Sequence, residues 1–325
     1  MMKTIHNILD ELIEKKSTTL KQYSLQGYKQ QVKKLKEEFA DLYIKDITTE
    51  EIQDYVDDWS KKYSVNTIKV RIIILKEALK DNGIILNAIK IKNNKPTKKR
   101  IYDSDDIGKL ENYFFKKIKS NHLTIPIAIY TGLRIGEILA LQWLDIDLDR
   151  KLLSVSKNAE YIKEKGMILQ DTKTKSSNRE VAIPDQLCDI LQKFMPQNND
   201  DWDKYVVGNK EKPINVRAAS RTAEIICARA GIEWKGFHAF RHSYATRMLE
   251  CGIPAKAVSD LLGHSNITTT LNIYSHTTND FKRDCVDKTF KNSNYEKEKE
   301  KEELNKQIYA MQEMLTNLIK KVEQL

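Results

Sequence analysis

In LLGHSNITTTLNIYSH, residues 261–276, an imidazole at His264 and a phenol at Tyr274 stand ten residues apart. On one straight helix, ten residues rise ~15 Å and turn a little under three times, which leaves the two groups apart on different faces. Gly263 can end the preceding helix AKAVSDLL, and Ser265 or Asn266 can cap a new one. Two short helices meeting at that break can aim His264 and Tyr274 at one point, where the phenol becomes a candidate nucleophile. Taken alone, the stretch has a plainer reading: an aromatic at helical spacing that packs into a core.

Three upstream stretches hold further reactive types. In YTGLRIGEILAL (130–141), Arg134 follows a Gly-Leu turn and opens an apolar helix, with Glu137 on the same face at i+3. In QDTKTKSSNREVAIP (170–184), Lys173 sits where one strand enters a turn, and Lys175 is a rival two residues on. In FHAFRHSYATRML (237–249), His238 and Arg241 are three apart and point the same way on a helix. Each has an ordinary alternative when read singly: a solvated arginine, an ornamental hairpin lysine, a histidine with a local hydrogen bond.

The elements that must position these groups are mostly helical. Residues 1–92 read as four or so amphipathic helices with no convincing strand. Tyr28, Val32, Leu35 and Phe39 form one stripe, Val65, Ile68, Ile72, Leu75 and Leu79 another, and Thr48 or Thr49 caps the helix between. The basic stretch NNKPTKKR then reads as a linker, because Pro96 blocks helix and like charges keep the chain extended. From Tyr102 onward, KLLSVS, AEYIKEKGMILQ and REVAIP look like three short strands of one small antiparallel sheet, with KEKG and KTKSSN as turns, and helices return after Pro184. The expected architecture is mainly α: a helical domain over 1–92, a linker over 93–101, a mostly helical domain with a small sheet over 102–290, and a tail over 291–325. Within the tail, Leu304, Ile308, Met311, Leu315, Leu318, Val322 and Leu325 keep a 4-3 alternation, which predicts a coiled-coil helix over 304–325. Packing of that helix on its own domain is the alternative.

Charge narrows the partners. Of the net +9, residues 1–100 supply +7, from 21 basic against 14 acidic residues, and KIKNNKPTKKR (90–100) has six basic residues and no acid. Such a patch suits a polyanion, since each neutralised phosphate releases counterions. The apolar runs are too short for a bilayer span, and the N-terminus lacks a signal peptide's apolar stretch. Four scattered cysteines (Cys188, Cys227, Cys251, Cys285), with no CxxC pair, read as free thiols in a reducing cytoplasm.

Together the four stretches resemble the tyrosine recombinase (phage integrase-like) family. The matching residues are Arg134 in TGLRIGE, Lys173 in TKT, His238 and Arg241 in HAFRH, His264 in LLGHS and Tyr274 in IYSH, all in the family's order. The likeness is strong over 102–290, and 1–92 looks like the family's core-binding domain. The tail lies outside the usual pattern.

The resemblance implies strand exchange through a covalent 3′-phosphotyrosine on Tyr274, with no metal and no cofactor. Arg134 and Arg241 would clamp the non-bridging oxygens, His238 would accept the phenol's proton, Lys173 would protonate the leaving 5′-oxygen, and His264 would hydrogen-bond the phosphate. Lys69 and Arg71, in NTIKVR, and Lys95, Lys98, Lys99 and Arg100 would grip the DNA backbone. Implied partners are double-stranded recombination sites, a synaptic tetramer of this chain with a possible coiled-coil contact, and an accessory DNA-bending or directionality protein. The implied place is the cytoplasm, at the nucleoid. A mobile-element integrase or resolvase leads, with a chromosome or plasmid dimer resolvase beside it and a type IB topoisomerase-like enzyme behind.

Overall fold

Among the residues that the computed structural model describes, helices α1 (Ile5–Ser17), α2 (Gln22–Glu38), α3 (Thr49–Lys62) and α4 (Val65–Lys80) come first. The described residues are 3–39, 41–92, 100–163, 165–171, 178–208, 211–264, 266–274, 301–308, 310–312 and 314. Lys95, Lys98, Lys99, Lys173 and Lys175 lie outside them, as do the side chain of Tyr274 and the tail beyond residue 314.

The starts of these helices are written locally. Thr4, Thr48 and Ser64 each accept a hydrogen bond from a backbone N–H of the first turn, satisfying a donor that the helix itself leaves unpaired. The expected stripes face inward: Val32 and Leu35 from α2 and Phe39 just past its end meet Ile68, Ile72, Leu75 and Leu79 from α4 in one core with Ile5, Leu9, Val56 and Trp59.

Arg71 belongs to that inner face too, which corrects the expectation that it grips DNA. Its side chain is 2% exposed, and its Nη1 donates to both carboxylate oxygens of Glu38 at 3.1 and 2.9 Å. The guanidinium carbon lies 4.1 Å from the Tyr63 ring centre and 5.2 Å from that of Trp59. Lying three residues after Ile68 and four before Leu75, it shares their face. Lys69 is exposed on the opposite side.

After residue 100 come α5 (Ser104–Lys116), α6 (Thr124–Thr131), α7 (Ile135–Ala140), five strands, α8 (Asp185–Gln192), α9 (Val216–Arg229) and α10 (Phe237–Glu250). The α5 cap is Asp103, whose side chain accepts from the Asp106 backbone N–H. A second core gathers Leu110, Phe114, Ile127, Ile138, Trp143, Val181, Ile226 and Phe240. Tyr102 seals its edge, stacking on Phe240 at 4.1 Å between ring centres while its hydroxyl accepts from the Lys235 backbone N–H.

Strands β1 (Ile146–Asp147), β2 (Leu152–Val155) and β5 (Arg179–Ala182) make a three-stranded antiparallel sheet in the order β1-β2-β5. Strands β3 (Lys157–Ile162) and β4 (Gly166–Asp171) pair only with each other. The sheet therefore has the expected size but a different membership. AEYIKEKGMILQ folds back on itself as a hairpin, and the third strand is the two-residue β1.

The chain divides into two compact units, Met1–Arg241 and His242–Leu325, with the division inside α10. The second unit contains the end of α10, α11 (Ala255–Leu262) and α12 (Thr268–Tyr274), packed through Ala245, Leu249, Val258 and Leu262. In the tail, residues 301–308 are helical, and Leu304, Ile308 and Met311 are exposed. Among the described residues, no helix is long and apolar enough to cross a membrane.

Truncating Arg71 to alanine removes the ion-pair partner of Glu38, leaving it the Tyr63 hydroxyl, and ends two aromatic contacts. Urea unfolding should show the Arg71→Ala protein destabilised by ~3 kcal/mol, with duplex affinity of the folded fraction unchanged. An unshifted unfolding midpoint together with weaker DNA binding would restore the phosphate-gripping role.

Candidate active site

Within the first unit, the site grows from the turn between α6 and α7. Helix α6 (TIPIAIYT) is buried almost all round and anchors the turn in the second core. It ends at Gly132, whose φ of 64° is left-handed and admits the reversal that a side chain would oppose. The reversal sets Arg134 in extended backbone as the N-cap of α7. Two residues on, Gly136 lies flush against β3. A Cβ there would stand 2.2 Å from Asn158 Oδ1 and 2.9 Å from the Ala159 carbonyl oxygen, so only glycine lets α7 approach this closely.

Glu137, one residue further, is the polar centre of the cluster and is only 3% exposed. Its Oε2 accepts from the Arg134 backbone N–H at 2.9 Å, closing the helix start, and its Oε1 accepts from Arg134 Nη1 at 2.9 Å. Arg179, at the head of β5, donates from the other side, Nη2 to Oε2 at 3.0 Å and Nη1 to Oε1 at 3.3 Å. Burial alone would raise the Glu137 carboxyl pKa, but the hydrogen bonds and charge of Arg179, then those of Arg134, outweigh it and hold the pKa below the usual value. The carboxylate is therefore ionised at neutral pH.

Helix α10 brings His238 and Arg241 to the same field. Arg241 is 2% exposed, and its Nη1 donates to the Gly132 carbonyl oxygen at 2.9 Å, tying α10 to the turn that presents Arg134. Burial, and then repulsion from Arg134, pulls its pKa down to about 9, which leaves it cationic at pH 7. His238 is exposed as a residue, yet desolvation of its imidazole, with the nearby charges of Arg241 and Arg134, lowers its pKa below the usual 6.5. It is accordingly neutral at pH 7 and able to accept a proton.

Arg134 differs from its partners in access: its side chain is 41% exposed, against 8% for Arg179. An anion can reach Arg134, while Arg179 is enclosed behind Glu137. Three expected residues, Arg134, His238 and Arg241, thus share one electrostatic field. Sequence reasoning noted Glu137 only as a neighbour and missed Arg179. The one signal for Arg179 was its place at the head of a strand, beside a turn already suspected of carrying a lysine.

The second unit holds the other two expected groups. Gly263 closes α11 in a left-handed cap, and the Asn266 side chain accepts from the Thr268 N–H to start α12, as the sequence suggested. His264 follows the cap, and its Nδ1 bonds the buried Thr270 hydroxyl at 2.8 Å, which fixes the ring against the first turn of α12. Tyr274 is the last residue of that helix. Of the residues expected to hold DNA, Lys69 and Arg100 are exposed.

Residues 99–280 match the phage integrase family, and residues 4–60 match the N-terminal SAM-like domain of phage integrases. The integrase of Staphylococcus phage L54a is 27% identical over 331 aligned positions, which cover 88% of this chain and 92% of the phage protein. A tyrosine recombinase XerC-like protein of Caldanaerobacter subterraneus subsp. tengcongensis is 40% identical over 171 positions, covering 46% of this chain and 44% of that protein. The Tn1549 transposon integrase, solved in complex with a circular intermediate DNA, shares the fold with a TM-score of 0.73 at 20% identity, over 89% of this chain and 100% of that one. The first match alone takes in more than half of the 325 residues, so the chain belongs to the phage integrase family of tyrosine recombinases.

Proposed function

We propose that this tyrosine recombinase cuts and rejoins DNA at the specific sites of a mobile element, through a covalent 3′-phosphotyrosine on Tyr274. The observation that carries this reading is the joining of Arg134, Arg241 and a neutral His238 in one field, in a chain of this family. Residues 1–92 would serve as a DNA-binding domain, 93–101 as a basic linker, 102–290 as the catalytic domain and 291–325 as a tail. Lys69, Lys95, Lys98, Lys99 and Arg100 would hold the backbone, setting position more than sequence.

Making a phenolate at pH 7 from a phenol of pKa ~10 costs ~4 kcal/mol. Transfer of the proton to His238 as Tyr274 attacks phosphorus offsets that cost. Negative charge then grows on the non-bridging oxygens, where the forks of Arg134 and Arg241 can clamp it and His264 can add a hydrogen bond. The P–O bond to the 5′-carbon side breaks, and Lys173 gives the leaving oxygen its proton. The new 3′-phosphotyrosine ester keeps the energy of the broken bond. A 5′-hydroxyl from another strand reverses the step, so ligation needs no outside energy source.

The phage L54a integrase and the transposon integrase favour a mobile element. The XerC-like match favours dimer resolution as the second reading. Action would take place on DNA in the cytoplasm, by a tetramer of this chain, and an accessory DNA-bending or directionality protein would set the direction. The exposed apolar seam that begins at Leu304, Ile308 and Met311 supports a coiled-coil contact between protomers.

Nicked duplexes from the ends of the element that carries the gene test the chemistry directly. Wild-type protein should form a covalent adduct, Tyr274→Phe none, and Arg134→Ala or Arg241→Ala should slow it by ~10²-fold or more. An adduct that survives in Tyr274→Phe overturns the assignment of the nucleophile, and cleavage without sequence preference turns the reading toward a topoisomerase.

The pH dependence follows from His238. Its pKa is lowered, so the neutral base persists as pH falls and is lost only below about 6.5. Adduct rate should therefore be flat through pH 7 and drop on an acid limb below 6.5, and that limb should vanish in His238→Gln. A limb centred above 7 would contradict the role.

Removing residues 300–325 should weaken self-association in sedimentation while leaving cleavage of a single site intact. Identical sedimentation of the shortened and full chains would refute the coiled-coil contact.

A further inference from the structure

Arg179 has no place in the chemistry above, yet it is held as firmly as any group in the cluster. Its side chain is 8% exposed and makes two hydrogen bonds to Glu137. Its backbone is fixed as well, because Arg179 pairs with Val155 at the head of β5. A guanidinium so nearly buried is poorly placed to touch a substrate phosphate, so its effect on catalysis runs through the charges around it, Glu137 first.

The charges suggest what that effect is. Glu137 orients Arg134 by binding both its backbone N–H and its guanidinium. A carboxylate in that position also opposes the positive charge of the arginine it aims, and burial strengthens the opposition. Arg134, Arg179 and Arg241 carry three positive charges against the one negative charge of Glu137, which leaves a surplus of two. Without Arg179, the surplus falls to one, and Glu137 has Arg134 as its remaining ion-pair partner in the cluster. The four groups do sense one another: Arg241 is pushed toward deprotonation by Arg134 and Arg179 and pulled back by Glu137.

We propose that Arg179 is a positioning residue that shares the Glu137 carboxylate, so that Glu137 can aim Arg134 without neutralising it and the surplus positive charge stays available to the scissile phosphate. This rests on the reading of the site as one that acts on a phosphodiester. Arg179 needs its charge more than its shape for this role, which separates it from a purely structural part.

Adduct formation on a nicked cognate duplex tests the charge balance. Arg179→Gln should slow the adduct by ~10²-fold, about the loss of one oxyanion donor, with unchanged duplex affinity. Arg179→Lys keeps the charge and should stay within about tenfold of wild type, by the same scale. The decisive variant adds Glu137→Gln to Arg179→Gln. It removes the uncompensated negative charge and should recover roughly tenfold of the loss, whereas a structural role predicts a further decline. On a duplex whose scissile phosphate is a methylphosphonate, with one anionic oxygen replaced, the gap between wild type and Arg179→Gln should narrow. Thermal melts accompany each variant, and Arg179→Met, apolar and of similar length, repeats the comparison where the glutamine protein does not fold. A double variant no faster than Arg179→Gln, or a gap of equal size on both substrates, overturns the proposal. Wild type that forms no adduct on any cognate duplex refutes the proposed function, while wild type and Arg179→Gln that cleave equally refute only the role of Arg179.

Discussion

A carboxylate taken out of water beside a helix start is unstable unless cations and hydrogen bonds replace its hydration. Glu137 meets that condition with the Arg134 N–H, the Arg134 guanidinium and both terminal nitrogens of Arg179. Because one carboxylate binds groups from the α6–α7 turn and from β5, it joins helix to sheet at the point where Arg134 emerges. Loss of either arginine leaves a buried charge short of a partner, so the three must be built together.

The surrounding fold can be understood as what brings those partners within reach. Helix α7 has only six residues, too few to hold its own geometry, and it is fixed by contacts at each residue that matters. Gly132 turns the chain into it, Gly136 admits the β3 backbone, Glu137 is pinned by Arg179, and the Gly132 carbonyl is claimed by Arg241 from α10. Tyr102 stacks on Phe240, next to Arg241, so the start of this region also braces the helix that carries the second arginine.

Local signals carried much of this. Helix stripes, caps and the break at Gly263 depend on neighbours in the chain, and they appear where periodicity and capping chemistry place them. Arg134, His238 and Arg241 were legible because their spacing matched a known order. The family likeness of NTIKVR implies a DNA contact for Arg71 that its own pattern opposes: three residues from Ile68 and four from Leu75, it lies on the buried stripe. Arg179 was barely legible, its one signal being its place at the head of a strand. Its partner stands 42 residues away, and no local periodicity reports an ion pair between a strand head and a helix. The strand partnering was also partly hidden, since AEYIKEKGMILQ can join a sheet or close on itself with the same alternation.

Burial and charge pull against each other across the whole cluster, and the result is directed. Arg241 loses hydration and faces Arg134, and its pKa falls to about 9. The same two cations, added to desolvation, keep His238 neutral. Under the proposed function a phosphate would supply the negative charge that relieves the arginines, and their mutual repulsion would become affinity for an anion placed between them. The imidazole stays neutral first because it is desolvated and then because Arg241 and Arg134 repel an added proton, while Glu137 divides its hydrogen bonds between Arg134 and Arg179. In the proposed chemistry, proton acceptance at His238 and phosphate binding both depend on Arg134 and Arg241, so a change to either arginine would alter both at once.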